Sequence, residues 1–409
     1  MPEPADLQRL LDLLPANGFY SRRLVAAGLK PGRLRYPDDW HRLPLTTKAD
    51  LVADQAAHPP FGSIHSLPID RYSRFHQTSG TTGRPLRWLD TPQSWSALLD
   101  CWQAVYDHAG VRPDDRLFFA FSFGPFLGFW TAFEAGCRMG ALCLPGGGMG
   151  TTARLRFLLD NAVTVVLCTP TYALHLAEVA QREGLDLAGS AVRAVIVAGE
   201  PGGNIPATRA RIEAGWGARV FDHHGMTETG PVTAEPAAAP GGLHVLDRWY
   251  LAEVLDPTTL QPVPPGEIGE LVLTNVHRLG SPLVRYRTGD QVRVDPTPGA
   301  DLGIGPRLIG GILGRADDMI VLRGNNVYPS RIQAILHRFP EVAEFRIAVE
   351  DQESLAVLRI DVELTGDDDV TPRIDQAIRD ELLFRAVVRR VEPGTLPRFE
   401  MKAQRVSRG

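Results

Sequence analysis

Cysteine is scarce: Cys101, Cys137, Cys143 and Cys168 are the only four in 409 residues, and no two form a Cys-x-x-Cys pair. That excludes a small disulfide-stapled secreted scaffold and makes a reducing compartment the expected setting. Positive charge is not in excess either. With 43 Lys and Arg against 48 Asp and Glu the net charge is −5, so no global field exists to hold nucleic acid or an anionic membrane, and any phosphate binding has to be local. Long apolar runs are missing as well: the longest uncharged stretch, residues 117–133, carries Gly124, Pro125 and Gly128. It is too short and too broken for a membrane-spanning helix and reads as a buried strand, a turn and a helix. The first residues are acidic and interrupted by proline, without the basic and apolar regions of a signal peptide, so a cytoplasmic location is expected. Internal repeats and low-complexity tracts are absent from the sequence; the Ala-, Pro- and Gly-rich tract 234–242 reads as a mobile loop.

What is present suffices for a large core. Hydrophobic residues make up 44% and charged residues 22%, which excludes bulk disorder, and the length allows two or three domains at about 150 residues each. Up to about residue 74 the text is loop-rich with short helical patches, as at 6–14. Between about 116 and 310, short apolar runs at 117–121, 164–168 and 194–197 alternate with helical stretches such as 172–182. That alternation predicts an α/β domain with a mainly parallel sheet, whose ligands belong at loops leaving the strand ends. From 253 to 294 turn-separated strands predict a β-rich subdomain. After Gly314 the order strand, helix, two strands, helix, strand predicts a separate small α+β domain, giving boundaries of 1–314 and 315–409.

Four motifs carry candidate chemistry. Thr78, Ser79, Gly80, Thr81, Thr82 and Gly83, followed by Arg84 and Pro85, set hydroxyls and unhindered backbone N–H groups in one run, as a polyphosphate site requires. The Walker A spacing is not met; in isolation such a cluster is more often a plain loop. Residues 222–229 offer His223 or His224 for a metal or general base, but a His pair without further ligands argues poorly for zinc. Glu228 suits magnesium, which takes one or two carboxylates plus substrate phosphate. At 286–290, Asp290 follows a glycine turn and could accept two ribose hydroxyls; a turn cap is the bland alternative. Residues 314–318 fall where composition shifts, as hinges do; the bland alternative is a solvated linker.

The ordered set formed by residues 78–85, 198–201, 222–228, 286–290, 314–318 and 323–329 resembles the acyl-adenylate-forming superfamily, and within it the phenylacetate-CoA ligase branch, from about residue 70 onward. The resemblance implies a large N-terminal domain that binds ATP and a carboxylic acid, and a small mobile C-terminal domain that reorients between two half-reactions. It implies that Thr78 to Gly83 hold the triphosphate, that Glu200, Pro201, Asp222, His223 and His224 line the adenine, that Thr227 touches phosphate, that Glu228 binds Mg2+, that Asp290 holds the ribose and that Arg315 supports the nucleotide. Ala198 and Gly199 fall at the acid site, Asp317 at the hinge, and Gly324, Asn325 and Asn326 in the segment that approaches the acceptor thiol. Lys402 matches the catalytic lysine. Two positions depart from the pattern: His224 stands for the usual tyrosine, and Met401 for the glycine before the lysine.

The reaction so implied is attack of a carboxylate on the α-phosphate of ATP, release of pyrophosphate, and transfer of the acyl group from acyl-AMP to coenzyme A. Aromatic residues crowd 118–130, and Phe123, Gly124, Pro125 and Phe126 form a loop at a strand end suited to an aromatic acid of the benzoate or phenylacetate type. A carrier-protein phosphopantetheine or an amine is the alternative acceptor, so an acyl carrier protein is a candidate partner, as is a second copy of the chain. A catalytically silent nucleotide sensor would be expected to lack Glu228 or Lys402; both are present.

Overall fold

In a computed structural model the described residues are all but 79–84, 298–301, 317–319, 323–324, 353–354, 383, 385, 400–402 and 409. Contacts cluster into two units, one of Met1–Gly148 with Phe221–Gly311 and one of Met149–Val220 with Ile312–Gly409.

The first unit opens with helices that exist to cover apolar surface. Pro4–Leu13 starts with proline at its first turn, where the missing N–H costs nothing. Its Leu7, Leu10 and Leu11, with Leu14 beyond, recur at helical spacing and are all buried. Each removes about 1.5–3 kcal/mol worth of apolar surface from water. They pack with Phe19, Tyr20 and Trp40 against Val276, Leu283, Val284 and Tyr286. Asn17 caps the Gly18–Ala26 helix by accepting from Tyr20 N–H, and donates to the Ile64 carbonyl. Thr47 and Asp50 form a reciprocal capping box at the start of the Lys48–Ala57 helix.

The β-rich part of this unit is antiparallel. Tyr250–Leu255, Ile268–Asn275 and Leu283–Arg293 run in order, and Thr233–Ala234, Gly242–Val245 and Arg307–Ile309 form a second small sheet. Arg116–Phe119 and Leu142–Pro145 pair in parallel, with the Trp130–Met139 helix as crossover. The uncharged stretch is thus a strand, a loop and a helix, as its composition predicts. The tract 234–242 is tied rather than loose: its ends are strands, and the Glu235 carboxylate accepts from Gly241 N–H at 2.7 Å and from Asp222 N–H at 2.7 Å. Composition registers the small residues of such a tract and misses the one buried acid that fastens it.

In the second unit Val165–Cys168 and Ala194–Ala198 pair in parallel, each followed by a helix, Pro170–Arg182 and Pro206–Trp216. Both strands are buried along almost their whole length, which explains why they read as continuous apolar runs. The C-terminal part is a four-stranded sheet in the order Ala386–Val391, Leu355–Leu364, Val342–Gln352, Val406–Arg408, with helices Pro329–Leu336 and Thr371–Leu382. Ile374, Ile378 and Leu382, four apart on one helix face, pack with Ile332, Leu336, Ile347 and Ile360. The α/β class and the α+β character of the C-terminal part match expectation, although two strands rather than one follow the last helix.

Candidate active site

In the first unit, several of the motifs meet. Thr78 N–H donates to the Leu86 carbonyl at 2.9 Å and Leu86 N–H to Thr78 Oγ1 at 3.0 Å. These two bonds close the neck of the Ser/Thr/Gly loop; Ser79, Gly80, Thr81, Thr82 and Gly83 themselves lie outside the described residues. One position earlier, Gln77 N–H donates to the Pro125 carbonyl at 2.7 Å. The aromatic loop is therefore anchored directly to the neck of the Ser/Thr/Gly loop.

That aromatic loop is shaped by its glycines. Gly128 has φ +42°, and a Cβ there would lie 2.9 Å from Phe126 Cε2 and 3.0 Å from Phe121 Cε2. Trp130 Nε1–H donates to the Gly124 carbonyl at 2.9 Å and closes the turn. Phe121 and Phe129 are buried, whereas Phe123, Phe126 and Trp130 are half-buried. The rings run in edge and tilted contact from Trp130 through Phe123, Phe121 and Phe129 to Trp102, and Trp102 packs on His223 at 4.4 Å. Most of the predicted aromatic patch is core; Phe123, Phe126 and Trp130 keep partial exposure.

The 222–229 motif is held from behind. Arg278, fully buried, makes a bidentate pair with Asp90 and donates through Nη1 to the carbonyls of Thr227 and Glu228, both at 2.9 Å. Tyr250 Oη–H and Asn275 Nδ2–H both donate to the Thr229 carbonyl. Gly230, at φ +88°, admits no side chain, since a Cβ would sit 2.4 Å from Leu98 Cδ2. With its carbonyls bound inward, the loop holds Glu228 at 4% exposure, where Oε1 lies 3.4 Å from Lys48 Nζ.

His223 is buried, and its Nδ1–H donates to the Thr233 carbonyl at 2.6 Å. Burial holds its imidazole down at about 3, so it is neutral near pH 7. His224 points elsewhere: its Nε2 lies 3.1 Å from Asp290 Oδ2. The structure thus brings together an expected adenine neighbour and the expected ribose carboxylate, 66 residues apart in sequence.

In the second unit, Ala198 ends a buried strand and Gly199 turns the chain at φ +96°. Glu200 Oε1 accepts from Thr171 N–H at 2.9 Å and Oε2 from Ala403 N–H at 2.7 Å. Pro201 follows in the same half-buried turn, and Arg315 is half-buried at the end of Gly314–Arg315. Asn325 and Asn326 lie on a strand paired with Ile320–Leu322. Asp317, Gly324, Met401 and Lys402 lie outside the described residues.

The comparisons with known proteins agree with this layout. A family model described as AMP-binding enzyme matches residues 74–277, and one described as AMP-binding enzyme C-terminal domain matches residues 324–408. The phenylacetate-coenzyme A ligase of Thermus thermophilus is 31% identical over 406 residues, covering 93% of this chain and 89% of that protein. The chain belongs to the AMP-binding enzyme family, among its AMP-forming acyl-CoA ligases. The phenylacetate-coenzyme A ligase of Escherichia coli K12 is 30% identical, covering 95% of this chain and 89% of its own length. Among solved structures, a 2-hydroxyisobutyryl-CoA ligase in the postadenylation state, bound to 2-HIB-AMP, matches with a TM-score of 0.93 at 29% identity over 99% of this chain and 88% of that one. The same ligase in the thioesterification state, with 2-HIB-AMP and CoA, matches with a TM-score of 0.73.

For this AMP-binding enzyme, sequence reasoning missed Lys48, Asp90 and Arg278. The Thr47–Asp50 spacing signals a helix start, yet nothing local ties Lys48 to a carboxylate 180 positions later. Arg278 and Asp90 are 188 residues apart and sit in no Gly-rich or acidic motif. Only the fold shows that their pair is the support under Thr227 and Glu228.

Proposed function

We propose that the protein activates an aromatic carboxylic acid, of the phenylacetate or benzoate type, with ATP to give acyl-AMP and pyrophosphate, and then transfers the acyl group to coenzyme A. The observation that carries the choice of acid is the Gln77–Pro125 hydrogen bond: it fixes the loop bearing Phe123 and Phe126 to the neck of the phosphate loop. A flat acid resting on those rings would present its carboxylate toward the triphosphate. The phenylacetate-CoA ligases, at about 30% identity over most of the chain, support the same reading.

In this reading the chain makes the reaction easier by positioning and by charge, with no protein nucleophile. Residues 78–83 hold the triphosphate through backbone N–H groups and hydroxyls. Thr227 contacts phosphate. Asp222, His223 and His224 border the adenine together with Glu200 and Pro201, Asp290 accepts the ribose hydroxyls, and Arg315 supports the nucleotide. Lys402 brings its ammonium to the α-phosphate and the attacking carboxylate. Glu228 fits a magnesium ion: it is a buried carboxylate on a loop whose carbonyls at Thr227 and Glu228 are held by Arg278, and magnesium takes one or two carboxylates with its remaining ligands from phosphate and water. When bound, the ion would supply charge neutralisation on the phosphate oxygens. Residues 1–314 would form the ATP- and acid-binding domain and 315–409 the mobile domain, turning about Asp317 so that Gly324, Asn325 and Asn326 approach the thiol.

The likeness to a 2-hydroxyisobutyryl-CoA ligase favours a second acid class, small hydroxy acids. Mass spectrometry of reactions containing ATP, phenylacetate and either coenzyme A or a phosphopantetheinylated carrier protein tests the acceptor. Phenylacetyl-CoA with AMP is the expected product. Acylation of the carrier with no CoA thioester would overturn the acceptor assignment.

A further inference from the structure

Several directed hydrogen bonds in the second unit converge on residues 403–405, immediately after Lys402. Arg405 is fixed first within the C-terminal sheet. Its Nε and Nη2 donate to the two oxygens of Glu344 at 2.5 and 3.0 Å, its guanidinium lies over Phe345 at 4.8 Å, and its carbonyl accepts from Ile347 N–H at 2.7 Å. Glu344 is 4% exposed, so this pair is the rigid base of the segment.

From that base two contacts reach the first turn of the Pro170–Arg182 helix and the loop after the Ala194–Ala198 strand. Arg405 Nη1 donates to Thr171 Oγ1 at 3.0 Å, and Ala403 N–H donates to Glu200 Oε2 at 2.7 Å. The other oxygen of Glu200 accepts the Thr171 N–H, one of the donors that a helix start leaves without an intrahelical partner. Glu200 therefore joins the two contacts into a single device, flanking Lys402 on its C-terminal side. Thr171 and the Arg405 side chain are buried, and two further polar contacts run alongside, between the Thr208 hydroxyl and His337 Nδ1 and from Arg211 Nη2 to the Val342 carbonyl. A cavity of about 730 Å³ opens beside this device, lined among others by Thr171, His175, Glu178, Arg211, Glu344 and Arg405. An attachment made of directed polar contacts beside a cavity gives up less close-packed apolar surface on release than a dry core would.

We propose that the Arg405–Thr171 contact and the Ala403–Glu200 contact, joined through the Thr171 N–H on Glu200, form a latch that positions the chain at Lys402 for adenylation and opens for the thioester step. The inference rests on the two half-reactions proposed above. Thr171 and Arg405 are positioning residues: they act through the backbone that carries Lys402. On opening, the Arg405–Thr171 and Ala403–Glu200 contacts are released together with the neighbouring Thr208–His337 and Arg211–Val342 contacts, while the Arg405–Glu344 pair travels with the C-terminal sheet.

The test uses the full-length Thr171→Val variant, which keeps side-chain volume, the N–H to Glu200 and the Arg405–Glu344 pair, and deletes the hydroxyl. Arg405→Lys is a second variant, because an ammonium cannot serve both Glu344 oxygens and Thr171 together. Three readouts are taken: ATP–pyrophosphate exchange, conversion of supplied acyl-AMP to thioester, and hydrogen exchange of a peptide spanning 403–408 without ligand. Losing one such hydrogen bond should lower pyrophosphate exchange about five- to tenfold, leave thioester formation unchanged or faster, and speed amide exchange at 403–408. Exchange within twofold of wild type with unaltered amide protection in Thr171→Val would overturn the latch, as would equal loss in both half-reactions. Absence of acid-dependent pyrophosphate exchange in the wild type would overturn the activity instead, and the amide readout would still decide the latch.

Discussion

Arg278 and Asp90 form a fully buried ion pair, and the arginine spends its remaining donor on the backbone of Thr227 and Glu228. Removing one partner strands a charge in the interior, which costs far more than the pair contributes. Arg278→Met should lower unfolding free energy by about 3–5 kcal/mol, read from denaturant midpoints; a change below about 1 kcal/mol would show that the pair is not essential to the loop. Histidine gives a pH dependence. The folded state holds His223 down at about 3 by burial, against about 6.5 unfolded. Between those values the unfolded chain binds the extra proton, so this contribution is fully present above about pH 6.5 and is lost as pH falls. His76, held down at about 4 by burial beside Trp95, acts in the same direction. Denaturation at pH 7.5 and pH 5 should show a loss for wild type, and His223→Gln should flatten it by up to about 1.4 kcal/mol per pH unit. Parallel slopes would contradict the buried neutral assignment. Neither residue's surroundings were legible from spacing: the motif offered His223 or His224 as a metal ligand or a base, the resemblance put both at the adenine, and only the fold shows the Thr233 carbonyl as the partner of His223.

Secondary structure was read best where burial on both faces writes long apolar runs, as at Val165–Cys168 and Ala194–Ala198. It was read less well where a tertiary contact decides. The 234–242 tract needs Glu235 and Asp222 together to be seen as fastened. The aromatic loop is intermediate: glycine and proline announce a turn at a strand end, but its attachment to Gln77 is a long-range fact. Gly128 tests whether that loop is the acid site. Alanine there would meet both an unfavourable φ and the Phe121 and Phe126 rings. Gly128→Ala should raise the KM for the acid about tenfold, a displacement worth roughly 1.4 kcal/mol, while the KM for ATP stays near wild type. An equal rise in both constants would move the acid elsewhere.

At the scale of the molecule, composition set the class and ordered motifs set the family, because six short segments in one order constrain a chain more than any of them alone. The contact units do not follow the expected division at 314/315, since Met149–Val220 clusters with Ile312–Gly409. Among the described residues no helix is long and apolar enough to cross a membrane. In the proposed reaction residues 78–83, Glu228, Asp290 and Lys402 act on one nucleotide, and the loop carrying Phe123 and Phe126 chooses the acid. ATP–pyrophosphate exchange with purified protein and Mg2+ tests that most directly, run over phenylacetate, benzoate, medium-chain fatty acids and 2-hydroxyisobutyrate. Exchange should depend on added acid and be fastest with an aryl acid. Faster exchange with fatty or hydroxy acids than with every aryl acid would contradict the aromatic assignment, and no acid-dependent exchange at all would contradict adenylation itself.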